Sequence, residues 1–312
     1  MNRFAAGLFA ALSVGAGAAS AAEPAQEQFQ FQDRDVARMV SLGGSCHRCE
    51  LSGRDLSGAT FTAASFTGAT LVGANLRGAE LVGSNFSGSD FSRADLSGAE
   101  MVGANFTGAN FTGANLSGAE IVGANLIRVN MGNANLSGAE LSGANLNGAV
   151  LTRANMRDTE IFGATLANVN ARGSDFSGAE VSASNLSNGD FRGVRFRDAS
   201  LDSARLTGGQ FDGADFSGAS MNRTDVRGVD LSSVRGLTQD QVGRACGDTN
   251  TRLPRGLTAR SCRGAMIAPP APPRPPAPPR PAYPSSERDG PHSHGNAAAH
   301  RNGSPLRARA LG

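Results

Sequence analysis

Leu71-Val72-Gly73-Ala74-Asn75-Leu76-Arg77-Gly78-Ala79-Glu80 contains the rule that residues 51–231 obey. Every fifth residue is apolar, as in Leu51, Leu56, Phe61, Phe66 and Leu71, and the lattice holds through thirty-seven pentads to Met221, Val226 and Leu231. Two places before each apolar residue, from position 59 to 229, stands a small one, almost always Ala, with Ser, Thr, Val or Gly as variants. Between them the usual residue is Asn, Asp, Glu, Ser or Thr. Gly follows two places after the apolar residue in 24 of the 37 pentads, which suits a corner where the chain turns sharply. Arg93, Arg128, Arg153 and Arg223 take that place too, implying that a left-handed backbone is not compulsory there. Only two of the first fifteen pentads lack the corner Gly, against eleven of the last twenty-two, so the N-terminal half is expected to be the more regular. Ala171 shrinks the apolar position while Val169 enlarges the small one, a volume compensation that argues against a ligand cavity.

A longer period lies on top of the short one. Glu80, Glu100, Glu120, Glu140, Glu160 and Glu180 recur at a spacing of twenty, as do Phe66, Phe86 and Phe106, and Phe176, Phe196 and Phe216. Four pentads per coil is the simplest reading, with like side chains stacked at the roughly 4.8 Å spacing of neighbouring strands. The units Ala74-Asn75-Leu76-Arg77-Gly78 and Ala94-Asp95-Leu96-Ser97-Gly98 resemble the pentapeptide-repeat family, and the resemblance covers about three fifths of the chain. It implies an all-β fold, a right-handed quadrilateral parallel β-helix or solenoid, with both the Leu/Phe and the Ala positions pointing inward. Thirty-seven pentads then make about nine coils and a rod of roughly 45 Å.

Around this body the chain divides into five segments. Residues 1–22 read as a cleaved signal peptide, with Arg3, an apolar run over 4–14, and Ala19-Ser20-Ala21 or Ser20-Ala21-Ala22 as the cleavage site. A periplasmic or secreted protein follows, in a compartment that permits disulfides. Residues 23–50 form a lead-in and cap, with a short helix expected over 33–42 behind Asp33 as N-cap. The repeat body occupies 51–235 and a helical cap with a Cys pair 236–264, where Thr238 and Gln241 fit a capping box opening a helix to about Ala245. Residues 265–312 are a tail, polyproline-like over 269–284 and disordered by composition beyond.

Charge and residue types exclude several function classes. All 29 basic residues are Arg; the repeats carry 13 Arg against 18 acids, whereas residues 232–312 carry 12 Arg against 4 acids. Neither part has the dense positive run that tracks nucleic-acid phosphates, so nucleic acid is not an expected partner. Loose association of the basic tail with an anionic envelope surface is expected instead. Glycoside hydrolysis needs two carboxylates flanking a cleft, and these acids are repetitive on an uninterrupted rod. No His lies between residues 48 and 291 to activate a serine, and His292, His294 and His300 sit in the tail. No enzyme activity, catalytic residue, cofactor or resident metal is expected.

Two groups remain as candidate sites. Cys46-His47-Arg48-Cys49 reads as half a zinc site, a redox pair, or a structural disulfide. Extending the lattice backwards puts Cys46 in the apolar place and Cys49 in the small one, both inward, which favours a disulfide or two buried thiols. Cys246 and Cys262 are expected to pair and close a short loop. The Glu column is either a solvated stripe or a binding stripe for a cation or partner. The coil period alone accounts for its spacing, and the solvated reading is preferred. The protein is expected to be an exported scaffold or protein-interaction module with an unidentified protein partner. The family resemblance also implies an alternative, gyrase binding by DNA mimicry, as in quinolone-resistance pentapeptide proteins with acidic rods. This array is only slightly acidic, bears Arg172, Arg192, Arg195, Arg197 and Arg205, and carries an export signal.

Overall fold

The computed structural model describes residues 44–262. The signal peptide expected over 1–22, the helix expected over 33–42 and the Pro/Arg-rich tail lie outside the described residues. Within each pentad the apolar residue enters the interior and the next two residues turn. The small residue returns inward, and the fifth makes a parallel bridge to the residue twenty positions later. Such bridges run from Ser45–Ser65 to Asp215–Arg235, so four pentads make one coil and successive coils stack in register.

The pentad starting at Phe106 shows why the sequence takes this form. Phe106 N–H donates to Asn125 O at 2.8 Å, Gly108 N–H to Ile127 O at 2.9 Å and Asn110 N–H to Ser89 O at 2.9 Å, while Ala109 N–H closes the turn onto Phe106 O at 2.9 Å. The backbone leaves one amide over, that of Thr107, and Asn105 Oδ1 accepts it at 3.1 Å. This Asx turn recurs behind Asp55, Asn75, Asp95, Asn115, Asn135 and Asn155. It explains the preference for Asn and Asp before the apolar residue: one methylene places the oxygen over the second amide ahead.

The corner residue has positive φ while its predecessor does not, the pattern of a type II turn. Gly98 has φ 64°, and Arg93, Arg128, Arg153 and Arg223 have 59°, 55°, 56° and 58°. The left-handed backbone is therefore required even where Arg stands, contrary to the expectation from sequence. The cause is that Arg93 N–H must still reach Thr112 O in the next coil, at 3.0 Å. A side chain in this conformation costs roughly 1–2 kcal/mol. The Arg stem gains contact in return: Arg128 Cγ lies 3.5 Å, and Arg153 Cγ 3.7 Å, from where a Cβ would stand on Gly148 and Gly173 of the following coil. The N-terminal half is the more regular, as expected: its inter-coil ladder is continuous, whereas among the described residues the late coils lack the bridge between Gln210 and Asp230 and the inter-coil bonds of the Gly208, Phe211, Gly213 and Gly218 amides.

The interior is a continuous apolar column. Phe91 and Phe111 stack with centroids 4.7 Å apart and planes 1° from parallel, and Phe191 and Phe211 do so at 5.3 Å and 6°. Val169 and Ala171 are both buried, as the expected exchange of volume requires. Gly189 and Gly209 extend that exchange in the opposite sense, because an added Cβ would stand 2.4 Å from the Phe191 ring and 2.7 Å from the Phe211 ring. Buried hydroxyls at small positions bond to nearby carbonyls, Ser84 to Leu81 at 2.6 Å and Thr159 to Met156 at 2.8 Å.

The last coil is closed by a cap that copies the coil's hydrogen bonds without its sequence. Helix α1, Gln239–Arg244, starts at Thr238 with the expected capping box and buries Val242. Gln241 Nε2 donates to Phe216 O and Ala219 O at 2.8 Å each. Arg223, Val226 and Leu231 donate their amides to the carbonyls of Arg244, Cys246 and Arg252 at 2.8, 2.9 and 2.7 Å. Cys246 is bonded to Cys262 with Cα atoms 5.2 Å apart, closing a loop that contributes about 3 kcal/mol in a chain-entropy account.

The later coils also bury charge. Asp215 is 4% exposed; it accepts from the Ser217 hydroxyl at 2.6 Å and from Arg197 Nε at 2.7 Å. The Ser217 hydroxyl and then Arg197 hold its carboxyl down at about 2, against the opposing effect of burial. A folded pKa below the unfolded value gives stability that is complete above pH ~4 and lost as pH falls toward 2.

Two tests follow from this packing. Gly98→Ala adds a methyl that meets nothing within 4 Å, so its cost is conformational, about 1 kcal/mol, whereas Gly189→Ala must displace a ring and costs more. Urea unfolding midpoints give both values, and equal costs for the two would contradict the volume exchange at Phe191. Asp215→Asn keeps the turn acceptor but loses the ion pair, and is expected to destabilise by about 2 kcal/mol at neutral pH. The gap from the unsubstituted protein should narrow as pH is lowered from about 5 to 2.5; a constant gap would exclude the ionised carboxyl as its source.

Candidate functional site

Inward side chains are occupied in packing, and so the chemistry open to a partner lies on the four outward columns set by the twenty-residue bridge spacing. Three of these columns consume much of their polarity internally. In the column through Asp55, Asn75 Nδ2 donates to Asp55 Oδ1 at 2.8 Å, and Asn115, Asn135 and Asn155 continue the ladder onto Asp95, Asn115 and Asn135 at 3.0, 3.1 and 2.7 Å. Asn105 bonds Asn85 at 3.2 Å in a second column, and Asn110 bonds Asp90 at 3.0 Å in a third. Their acids are largely matched by Arg: Arg77 with Asp95, Arg195 with Asp175, Arg172 and Arg192 with Asp190, and Arg227 with Asp225.

The fourth column differs. Glu80, Glu100, Glu120, Glu140, Glu160 and Glu180 are joined by successive backbone bridges, so their carboxylates rise from neighbouring coils at the strand spacing of about 4.8 Å. Among the described residues none of the six enters an ion pair. Burial first, then the charges of Glu160 and Glu120, push the Glu140 carboxyl above the ordinary range. Beside four of the six acids, across the intervening core residue, the corner carries an apolar side chain: Val82, Val102 and Val122 are half-buried, and Phe162 is 50% exposed, while Ser142 and Ser182 stand beside Glu140 and Glu180. Phe162 is the one large apolar side chain exposed among the described residues. Sequence reasoning found the acids and missed this ridge, although Val82, Val102 and Val122 share the spacing of twenty. No group of three or more His, Cys, Asp and Glu side chains among the described residues is placed to hold a metal ion.

The cysteines occupy the two ends of the described stack. Cys46 is bonded to Cys49 across the first corner, with Cα atoms 5.7 Å apart. Both sulfurs were expected to face inward; Cys49 packs against the core, but Cys46, on the first corner of the described residues, is exposed.

A family model for pentapeptide repeats matches in 8 copies, over residues 45–83, 55–93, 89–126, 119–158, 159–198 and 195–232. No curated protein matches the chain. Among solved structures, HetL, a pentapeptide repeat protein involved in heterocyst differentiation regulation from the cyanobacterium Nostoc sp. strain PCC 7120, is similar at 28% identity. The likeness covers 72% of this chain and 97% of that one, with a TM-score of 0.44. Full-length QnrB1, a plasmid-mediated fluoroquinolone resistance protein, is similar at 20% identity over 54% of this chain and 94% of its own, with a TM-score of 0.31. Rfr23 from the cyanobacterium Cyanothece 51142 is similar at 26% identity over 44% and 96%, with a TM-score of 0.29. Pentapeptide repeat proteins fold as right-handed quadrilateral β-helices and are generally non-enzymatic structural or interaction proteins. With its repeats matched across residues 45–232, the chain belongs to the pentapeptide repeat family.

Proposed function

We propose that this protein is an exported, non-catalytic rod of about nine right-handed coils over residues 51–235, capped over 236–264, which serves as a scaffold or protein-interaction module. The observation that carries this reading is the contrast between columns. Three columns spend their side chains on one another, while the fourth leaves six carboxylates without an ion pair among the described residues, four of them beside the apolar corners Val82, Val102, Val122 and Phe162. Like charges held at strand spacing repel, and a partner that brings cations relieves the repulsion while covering Val82, Val102, Val122 and Phe162. Export is supported by the sequence of the first 22 residues and by two cysteine pairs at bonding distance, which suit an oxidising compartment.

Proximity labelling in the native cell, comparing the full chain with a Phe162→Ser, Glu120→Gln, Glu140→Gln variant, tests the face. These side chains point outward, so the variant is expected to keep its fold while its specific partner signal falls by about tenfold or more. An unchanged partner set would place the docking surface elsewhere, and no specific partner with either protein would favour a purely structural rod. If millimolar calcium raises the melting temperature of the unsubstituted chain and not of the variant, the column binds a cation instead. Intact-mass measurement of the exported protein should find a new N-terminus at Ala22 or Glu23; uncleaved protein in the cytoplasm would contradict export.

A further inference from the structure

The Cys46–Cys49 pair has an asymmetry that a purely structural disulfide does not need. Cys46 is exposed, while Cys49 packs against the core. The residues between them are His47, whose Nδ1 bonds Thr67 Oγ1, and Arg48, both exposed and both carried on the corner itself. The corner does not depend on the disulfide to keep its shape. Cys46 N–H donates to Ser65 O at 2.8 Å, Arg48 N–H to Thr67 O at 3.0 Å, and Cys49 O accepts from Thr70 N–H at 2.8 Å. Opening the S–S bond therefore leaves both thiols on anchored backbone, within reach of each other. The Cys246–Cys262 pair differs: Cys246 is 8% exposed, and the bond closes the loop that completes the C-terminal cap.

We propose that Cys46–Cys49 is a thiol–disulfide exchange site, with Cys46 as the sulfur attacked from solution and Cys49 as the internal leaving and resolving thiol. An external thiolate attacks Cys46 Sγ, forming a mixed disulfide and breaking the Cys46–Cys49 bond, and Cys49 leaves as a thiolate that takes a proton from solvent. A second external thiol attacks the external sulfur of the mixed disulfide and releases Cys46. The balance is two thiols oxidised to one disulfide while the Cys46–Cys49 bond is reduced, and the reverse sequence restores it from an external disulfide. The cation of Arg48 favours approach of an anionic thiolate and stabilises the thiolate formed. The co-reactant class is a small thiol or dithiol, or its disulfide. This site is independent of the Glu column and of whatever partner binds there.

Glutathione is the probe, used on the oxidised full chain under native conditions with timed quenching by an alkylating reagent. Trypsin cuts after Arg48, so the oxidised pair links residues 39–48 to 49–54 and the reduced pair releases them separately; the second disulfide links 245–252 to 261–263. Cys46–Cys49 is expected to open at least about tenfold faster than Cys246–Cys262 and to re-form with oxidised glutathione. In Cys49→Ser, Cys46 should take up glutathione from its disulfide about tenfold faster than Cys49 does in Cys46→Ser. Equal opening rates for the two native disulfides, or opening of Cys46–Cys49 only in denaturant, would overturn the proposal, and equal capture in the two variants would overturn the roles given to the sulfurs. The rate comparison needs no substituted protein, so it stands even if a variant folds poorly.

Discussion

One amide per pentad decides the chemistry of the repeats. In the pentad starting at Phe106 the backbone satisfies four N–H groups through the turn and the neighbouring coils, and leaves the residue after the apolar position without a partner. At a corner this amide would have to be left to water, and the Asn or Asp side chain just ahead of the core residue supplies the acceptor instead, as Asn105 does for Thr107. Once it does, the corner is fixed, the left-handed residue follows, and the apolar and small side chains are aimed inward. The polar residue of each repeat is thus a structural member of the turn and only secondarily a surface group.

The same economy sorts the columns by what they can still offer. Asn and Asp finish their work at home, bonding the turn, then the coil below, and taking Arg where charge accumulates. Glu carries one methylene more, and of the six described acids in the fourth column only the Glu80 carboxylate is tied to the coil below, accepting from the Thr60 hydroxyl at 3.3 Å. Position in the coil, rather than acidity itself, separates a carboxylate such as Asp215, consumed by Ser217 and Arg197, from Glu120, which remains available.

The coil period, the inward columns, the capping box at Thr238 and the volume exchange at Val169 and Ala171 were legible in the sequence because each is a pattern of size or polarity. The corner conformation was not. Arg93 and its counterparts look incompatible with a left-handed backbone only while the corner is considered alone; hydrogen bonds to the following coil hold it there. Gly189 and Gly209 are likewise readable only beside the rings that lean into them. The exposure of Cys46 escaped notice because the lattice describes a residue within the stack, and Cys46 lies on the first corner of the described residues. The Val ridge beside the acids was readable, at a spacing of twenty, and was hidden by attention to charge.

Bridges between residues twenty apart make the coil, and not the pentad, the unit in which this chain can be edited. Inserting or losing five residues would leave every corner, core position and Asx turn chemically intact, yet rotate all later columns by one face, splitting the Glu stripe and setting rings over small side chains. Twenty residues is the smallest change that preserves both levels of order. Length variation in such a gene is therefore expected to proceed by duplication or deletion of whole coils, and the persistence of Glu from position 80 to 180 is the imprint such copying would leave.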